Sequence, residues 1–310
     1  MSQSLALVFP GQGSQQVGML AELAQTNPII EATFAEASEV LGYDLWALVQ
    51  NGPEADLNQT DKTQPALLVS GVTLWRLWQE KGGAQPAIMA GHSLGEYTAL
   101  VCAGAIPFAQ AVTLVKLRGE YMQQAVAPGA GAMAAILGLA DEAVKAACEE
   151  AAQGDVVAPV NFNCPGQVVV AGEAAAVERA IDACKAAGAK RAVPLPVSVP
   201  SHCALMKPAA QKLAEKLAEV DITLPAIPVL QNVKAAQAQS AEELKENLIA
   251  QLYSPVLWTD SVAAMVEQGV ESTVECGPGK VLSGLNKKVH KPLAVKAIGD
   301  VAGLEAALAL

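Results

Sequence analysis

Aromatic side chains are scarce in this 310-residue chain, at 4% of residues, so the alanine, valine and leucine that dominate it must fill the interior. Histidine occurs three times, at His92, His202 and His290, too widely spaced for a histidine-based metal motif. The six cysteines (Cys102, Cys148, Cys164, Cys184, Cys203, Cys276) include no C-x-x-C pair. In a chain of this size that argues against a zinc site or a disulfide frame and for reduced thiols on core or helix faces. No segment holds about eighteen apolar residues in a row, the length needed to cross a bilayer. The N-terminal stretch lacks the basic start, apolar run and cleavage site of a secretory signal. Positive charge is also short: 20 Lys and Arg stand against 31 Asp and Glu, a net charge of -11. A duplex nucleic-acid binder would have to overcome its own repulsion of phosphate, which disfavours that class. Together these absences predict a cytoplasmic protein without nucleic acid, membrane or metal; that it acts as a monomer is a separate expectation.

What remains is ample for a core. With 52% hydrophobic and 16% charged residues the chain suits one substantial globular unit or two packed ones. Leu5 to Phe9 reads as a short buried strand running into a tight loop at Pro10-Gly11. Helical spacing follows from about Met19 to Val49, with breaks near Asn27-Pro28 and Gly42, and again from Gln64 to Lys81. Ala87 to Ala90 reads as a second buried strand and Ser93 to Cys102 as a central helix. Repeated strand, sharp turn and helix predict a parallel sheet covered by helices. From about Ala125 to Val199 the order changes to β-α-β-β-α-β, the ferredoxin-like arrangement. The expected fold is an α/β-hydrolase-like core, residues 1–124 and 200–310, with a ferredoxin-like subdomain inserted at 125–199. Beyond it, helices are expected at Lys207 to Val220 and Ala241 to Leu252, and strands at Pro228 to Asn232 and Ser272 to Glu275.

The sharpest chemical signal is Gly91-His92-Ser93-Leu94-Gly95, a G-x-S-x-G pattern with a strand before it and a helix after it. A nucleophilic serine sits on a strained strand-to-helix turn, and glycines two residues to either side let the chains approach closely. The helix N-terminus then offers N–H groups to a developing oxyanion. A serine hydroxyl needs a base at neutral pH. His92 is adjacent to Ser93 and should point away from the attack direction, and His290 lies in a lysine-rich stretch. His202, in a loop before a helix, is the favoured partner, although a loop histidine is more often structural. The Asp or Glu that usually precedes the histidine is missing from the 190s, so a carbonyl oxygen accepting from Nδ1–H is the alternative.

Gly11-Gln12-Gly13-Ser14-Gln15 looks like a phosphate loop but lacks the G-K-[ST] ending, and Gln16 takes the place of the third glycine of G-x-G-x-x-G. Beside the elbow it could instead give a second oxyanion donor. Arg118 lies in an otherwise apolar helix, Ala109 to Ala125. A lone arginine there usually packs its stem on the core and exposes its head. The sharper reading is a bidentate clamp for a substrate carboxylate.

Taken together, Phe9-Pro10-Gly11-Gln12-Gly13-Ser14-Gln15, Gly91 to Tyr97, Arg118-Gly119, Asn161 to Gly172, Ser201-His202 and Gly277-Pro278-Gly279 closely resemble malonyl-CoA:acyl-carrier-protein transacylases. The resemblance covers nearly the whole chain and implies the same fold. It implies Ser93 as the acylated nucleophile, His202 as its base, and the N–H groups of Gln12 and Leu94 as the oxyanion hole. It further implies that Arg118 holds the malonyl carboxylate and that the main-chain carbonyl of Gln251 orients the histidine. Thr98 and Cys164 stand where serine is common, small-for-small changes. The implied substrates are malonyl-CoA and phosphopantetheinylated acyl carrier protein, with no further cofactor. Lys280, Lys287, Lys288, Lys291 and Lys296 lie in a stretch free of acidic residues and are expected to steer the acidic carrier protein. An exposed basic face with no partner is the plainer reading. Two rivals are a serine esterase or thioesterase using the same elbow, and an inactive docking module.

Overall fold

Every residue of Leu5–Phe9 is buried, and its alternate side chains enter different cores. Leu5, Leu7 and Phe9 pack with the long helices on one side. Ala6 and Val8 pack on the other, with Trp258, Val262 and Leu285. A strand covered on both faces is the signature of a parallel sheet between helical layers. The computed structural model describes residues 4–197 and 199–310. Residues 1–3 of the N-terminal stretch and Ser198, near the end of the expected insert, lie outside them. The described residues form strands β1 (Leu5–Phe9), β2 (Ile88–Gly91), β3 (Gly131–Leu137), β4 (Val157–Cys164), β5 (Gln167–Glu173), β6 (Arg191–Pro194), β7 (Val229–Leu230), β8 (Ser272–Glu275) and β9 (Ala294–Ala297). The first sheet has the order β7-β2-β1-β8-β9 with all pairings parallel. No helix among the described residues is long and apolar enough to cross a membrane.

The second sheet, β4-β5-β3-β6, is antiparallel. Its strands alternate with the helices Asp141–Ala152 and Ala174–Ala186 in the ferredoxin-like order. Period-2 patterning divides its faces. Ala134, Ile136, Val168 and Val170 pack against the two helices. Met133, Ala135 and Val169 face the first sheet and roof a cleft. A bridge between Asn161 and Val256, flanked by Phe162 N–H to Val256 O (3.0 Å) and Val256 N–H to Val160 O (2.9 Å), ties this sheet to the rest.

Several elements differ from expectation. The helix expected from Gln64 begins at Thr60 and carries Pro65 inside it. Proline costs a helix one hydrogen bond, and here the residue is buried in the core face. β6 stops at Pro194 rather than Val197, and the strand expected at Pro228 to Asn232 is only Val229–Leu230. The lysine-rich stretch, for which no element was expected, folds as a helix, Val281–Val289. Leu282 and Leu285 hold it against the core while Lys287 and Lys288 face outward.

Candidate active site

The register of the first sheet assembles the site. Phe9 pairs with Gly91, so the loop after β1 and the turn after β2 leave the sheet side by side. His92 N–H donates to Phe9 O (3.0 Å). A Cβ on Gly11 would strike the carbonyl of His92, and one on Gly91 would strike the backbone of Gly95 and Glu96. These glycines are required by close approach. Between them Ser93 adopts φ 52°, ψ -112°, a conformation that costs a non-glycine residue about 1–3 kcal/mol. Asn232 secures this turn from β7. Its Oδ1 accepts from Ser93 N–H (2.7 Å) and its Nδ2 donates to Gly91 O (2.6 Å). Leu94 is the first residue of the helix Leu94–Cys102, where backbone N–H groups lack intrahelical partners.

His202 arrives from beyond the second sheet. Ser93 Oγ and His202 Nε2 are 2.8 Å apart, hydroxyl donating to ring nitrogen. On the far side Nδ1–H donates to the main-chain oxygen of Gln251 (2.7 Å). Gln251 is the last residue of the helix Ala241–Gln251, whose start is fixed by the Ser240 side chain accepting from Glu243 N–H. A helix end leaves its last carbonyls free and partly negative, so this oxygen can orient an imidazole without an acid. The next carbonyl, Leu252 O, accepts from His202 N–H (2.9 Å) and helps hold that residue at φ 66°. Burial, reinforced by the Arg118 charge, pushes the imidazole down to about 3. The ring is therefore neutral at physiological pH and its Nε2 lone pair is free for the serine proton.

Arg118 is 1% exposed; it is not the surface residue that its type usually is in a helix. Its Nη1 donates to Gln64 Oε1 (2.8 Å), and its Nη2 to Gln251 Oε1 (2.9 Å) and Ser93 Oγ (3.3 Å). The guanidinium carbon lies 5.2 Å from the centre of the Tyr97 ring. Nε makes no hydrogen bond. All of its direct hydrogen-bond partners are uncharged, an arrangement that leaves a buried cation ready to receive an anion.

Gln12 lies in the loop after β1, its side chain reaching Thr60 Oγ1 at 3.4 Å. With Ser93, Leu94 and Arg118 it lines the floor of a cleft of about 380 Å³ beneath the second sheet. Val281 and Leu285 of the lysine-bearing helix line it too. His92 turns from the serine, its Nε2 2.8 Å from Asn163 Oδ1. The structure thus gathers Gln12, Ser93, Leu94, Arg118, His202 and Gln251. It adds Gln64, Glu96, Gln231 and Asn232, which sequence reasoning missed. The only local cue was that Glu96 sits in the first turn of a largely apolar helix. Among the described residues no group of three or more His, Cys, Asp or Glu side chains is arranged for a metal.

Fold and site bring together a serine hydroxyl, an imidazole and a buried guanidinium at the carboxyl edge of a parallel sheet, the arrangement of an acyl transferase. Residues 6–302 match the family described as acyl transferase domain. The malonyl CoA-acyl carrier protein transacylase of Salmonella typhimurium is 61% identical over 303 residues, covering 98% of both chains. The crystal structure of an acyl carrier protein S-malonyltransferase from Vibrio cholerae superposes with a TM-score of 0.96 at 63% identity, covering 98% of this chain and 99% of that one. A malonyl-transacylase solved in complex with a type II PKS acyl-carrier protein superposes with a TM-score of 0.98 at 61% identity, covering 99% of each. The chain belongs to the malonyl CoA-acyl carrier protein transacylase family of acyl transferases.

Proposed function

We propose that this enzyme moves a malonyl group from malonyl-CoA to the phosphopantetheine thiol of acyl carrier protein, supplying fatty-acid synthesis, through a malonyl ester on Ser93. The observation that carries the reading is the buried, carboxylate-free guanidinium of Arg118, 3.3 Å from the oxygen of a histidine-paired serine. In the first half-reaction His202 Nε2 takes the Ser93 proton as the oxygen attacks the thioester carbonyl. The N–H groups of Leu94 and Gln12 receive the oxyanion. The C–S bond then breaks, and the imidazolium returns its proton to the departing CoA sulfur. The carrier's thiol repeats these steps in reverse order. Arg118 grips the malonyl carboxylate throughout, a task for which a planar fork suits better than lysine. The apolar roof of the cleft, with Met133 and Val169, helps keep water from the ester. All six cysteines are unpaired and buried, which supports a reducing cytoplasm as the location.

Product analysis with malonyl-CoA and a thiol acceptor tests the assignment. Net malonyl transfer is expected, and free malonate as the sole product would identify a thioesterase instead.

The carrier protein's approach is assigned to the lysine-bearing face. Lys280, Lys287, Lys288 and Lys291 are exposed, on or beside the helix whose Val281 and Leu285 line the cleft. Lys280 is shared with Asp300 at 3.6 Å and Lys288 reaches Gln167 Oε1 at 3.4 Å, both contacts weak enough to yield to a partner. Reversing Lys287 and Lys288 to glutamate should raise KM for the carrier protein about tenfold at low salt, while malonylation of Ser93 by malonyl-CoA stays unchanged. Steady-state kinetics at two ionic strengths measure this, and an unaltered KM removes the patch from docking.

A further inference from the structure

Arg118 needs a compensating anion, and the one nearest in the hydrogen-bond network does not touch it. Arg118 Nη2 donates to Gln251 Oε1 (2.9 Å), and Gln251 Nε2 donates in turn to Glu96 Oε2 (2.9 Å). Glu96 is 1% exposed. Its oxygens also accept from Asn232 N–H (2.8 Å) and Gln231 Nε2 (3.1 Å). All three neighbours donate. The Gln231 amide is fixed in that sense, since its Nε2 also reaches Leu244 O and its Oε1 accepts from Asn247 Nδ2. The proposed reaction gives Glu96 no part, yet Glu96 holds Gln251. That residue's main-chain oxygen orients His202, and its side chain steadies Arg118.

We propose that Glu96 is the positioning residue and counter-charge of this site, balancing Arg118 through the Gln251 amide so that the guanidinium stays free of any carboxylate until the acyl group brings one. The inference rests on the reading of Arg118 as the acyl-carboxylate clamp. A direct Arg–Glu pair would occupy the fork with a resident competitor, which the substrate would have to displace. One intervening amide keeps the attraction and leaves the fork held only by neutral partners.

The arrangement has a measurable consequence. Malonylation places a second carboxylate beside one cation, and like charges in a buried site drive one of the pair to take a proton. Glu96 is already poised for this: burial outweighs its three hydrogen bonds and the Arg118 charge, and raises it to about 7. The other titratable groups facing it do not change protonation at that pH. Tyr97, on its own helix, is raised to about 12, and His202 and His92, both lowered by burial, are neutral. Arg118 stays a cation. The proton comes from solvent and is taken up by Glu96.

The test is single-turnover acylation of the full chain in weakly buffered solution at neutral pH with an indicator dye. Malonyl-CoA and acetyl-CoA are used in parallel, with intact mass confirming the acyl-serine. Release of CoA is common to both donors and cancels in the comparison. Malonylation is expected to take up several tenths of a proton more per site than acetylation. Glu96→Gln should abolish the difference, and Glu96→Asp, which keeps the charge, should retain it. A merely structural Glu96 would change rates in the variants and leave the wild-type proton count equal for the two donors. Equal counts in the wild type, or a malonyl-specific uptake that survives Glu96→Gln, overturn the proposal. Absence of malonyl-serine altogether would overturn the functional reading instead, and the mass measurement separates the two.

Discussion

Ser93→Ala should end the reaction: incubation with malonyl-CoA leaves the mass of the variant unchanged, whereas the wild type gains one malonyl group. Transfer to a thiol acceptor should fall by at least about 10⁴-fold, the scale on which removal of a covalent nucleophile is felt. The size follows from geometry. The hydroxyl at 2.8 Å from His202 Nε2 also meets Arg118 at 3.3 Å, so imidazole and guanidinium converge on one atom. Alanine keeps the same backbone requirement at φ 52°, and the turn remains fastened by Asn232 to Ser93 N–H and Gly91 O. The variant should therefore fold, with a circular dichroism spectrum like that of the parent. His202→Ala should be nearly as severe, because the two groups act as a unit and their losses do not add. A chain that still acquired malonyl with residue 93 as alanine would have its nucleophile elsewhere, and the mechanism would fail.

Arg118→Ala should separate donors by the charge of their acyl group. Malonyl transfer is expected to drop about 10²–10³-fold while acetyl transfer falls less than about tenfold. A hydrogen bond to a charged group contributes about 1.5–3 kcal/mol, and a two-pronged grip on one carboxylate about 3–4 kcal/mol, which at 1.36 kcal/mol per decade gives that range. The acetyl group has nothing for the fork to hold, so its transfer should suffer only from disturbed neighbours. Those disturbances exist: Gln64 Oε1 and Gln251 Oε1 each lose a donor, a cost of about 1–3 kcal/mol in stability for each buried acceptor left unmet. Arg118→Lys, which keeps the charge but offers no fork, should fall between. Rates measured side by side with the two donors decide the matter, and equal losses would argue that Arg118 is structural.

The reactive centre was legible because its constraints are local. Glycines flanking a serine between a short apolar run and a helix follow from the sterics of the turn, and a hydroxyl with only three histidines available has few possible bases. The second sheet was legible because alternating and helical periods follow one another in a recognisable order. Gln251 was reached only through resemblance, since a helix-terminal glutamine carries no mark of what its carbonyl meets. Gln64, Gln231 and Asn232 were invisible for a related reason. Amides are usually solvent-facing, and only tertiary packing reveals that these are 1% exposed. The lysine-bearing helix escaped notice because Leu282 and Leu285 acquire meaning only once there is a core to receive them. Local rules expose local strain, whereas a network of neutral donors spread over 64–251 becomes visible when the sheet brings its ends together.

The oxygen that steadies the histidine belongs to the peptide chain at a helix terminus. It has no ionisable proton in the working range, so acidification cannot switch it off as it would a carboxylate. It is equally beyond the reach of ordinary mutation, because exchanging the glutamine for any other amino acid leaves a carbonyl at the same place in the chain. Evolution can therefore retune the side chain there for substrate choice or charge balance while the tautomer of the histidine is inherited from the backbone itself.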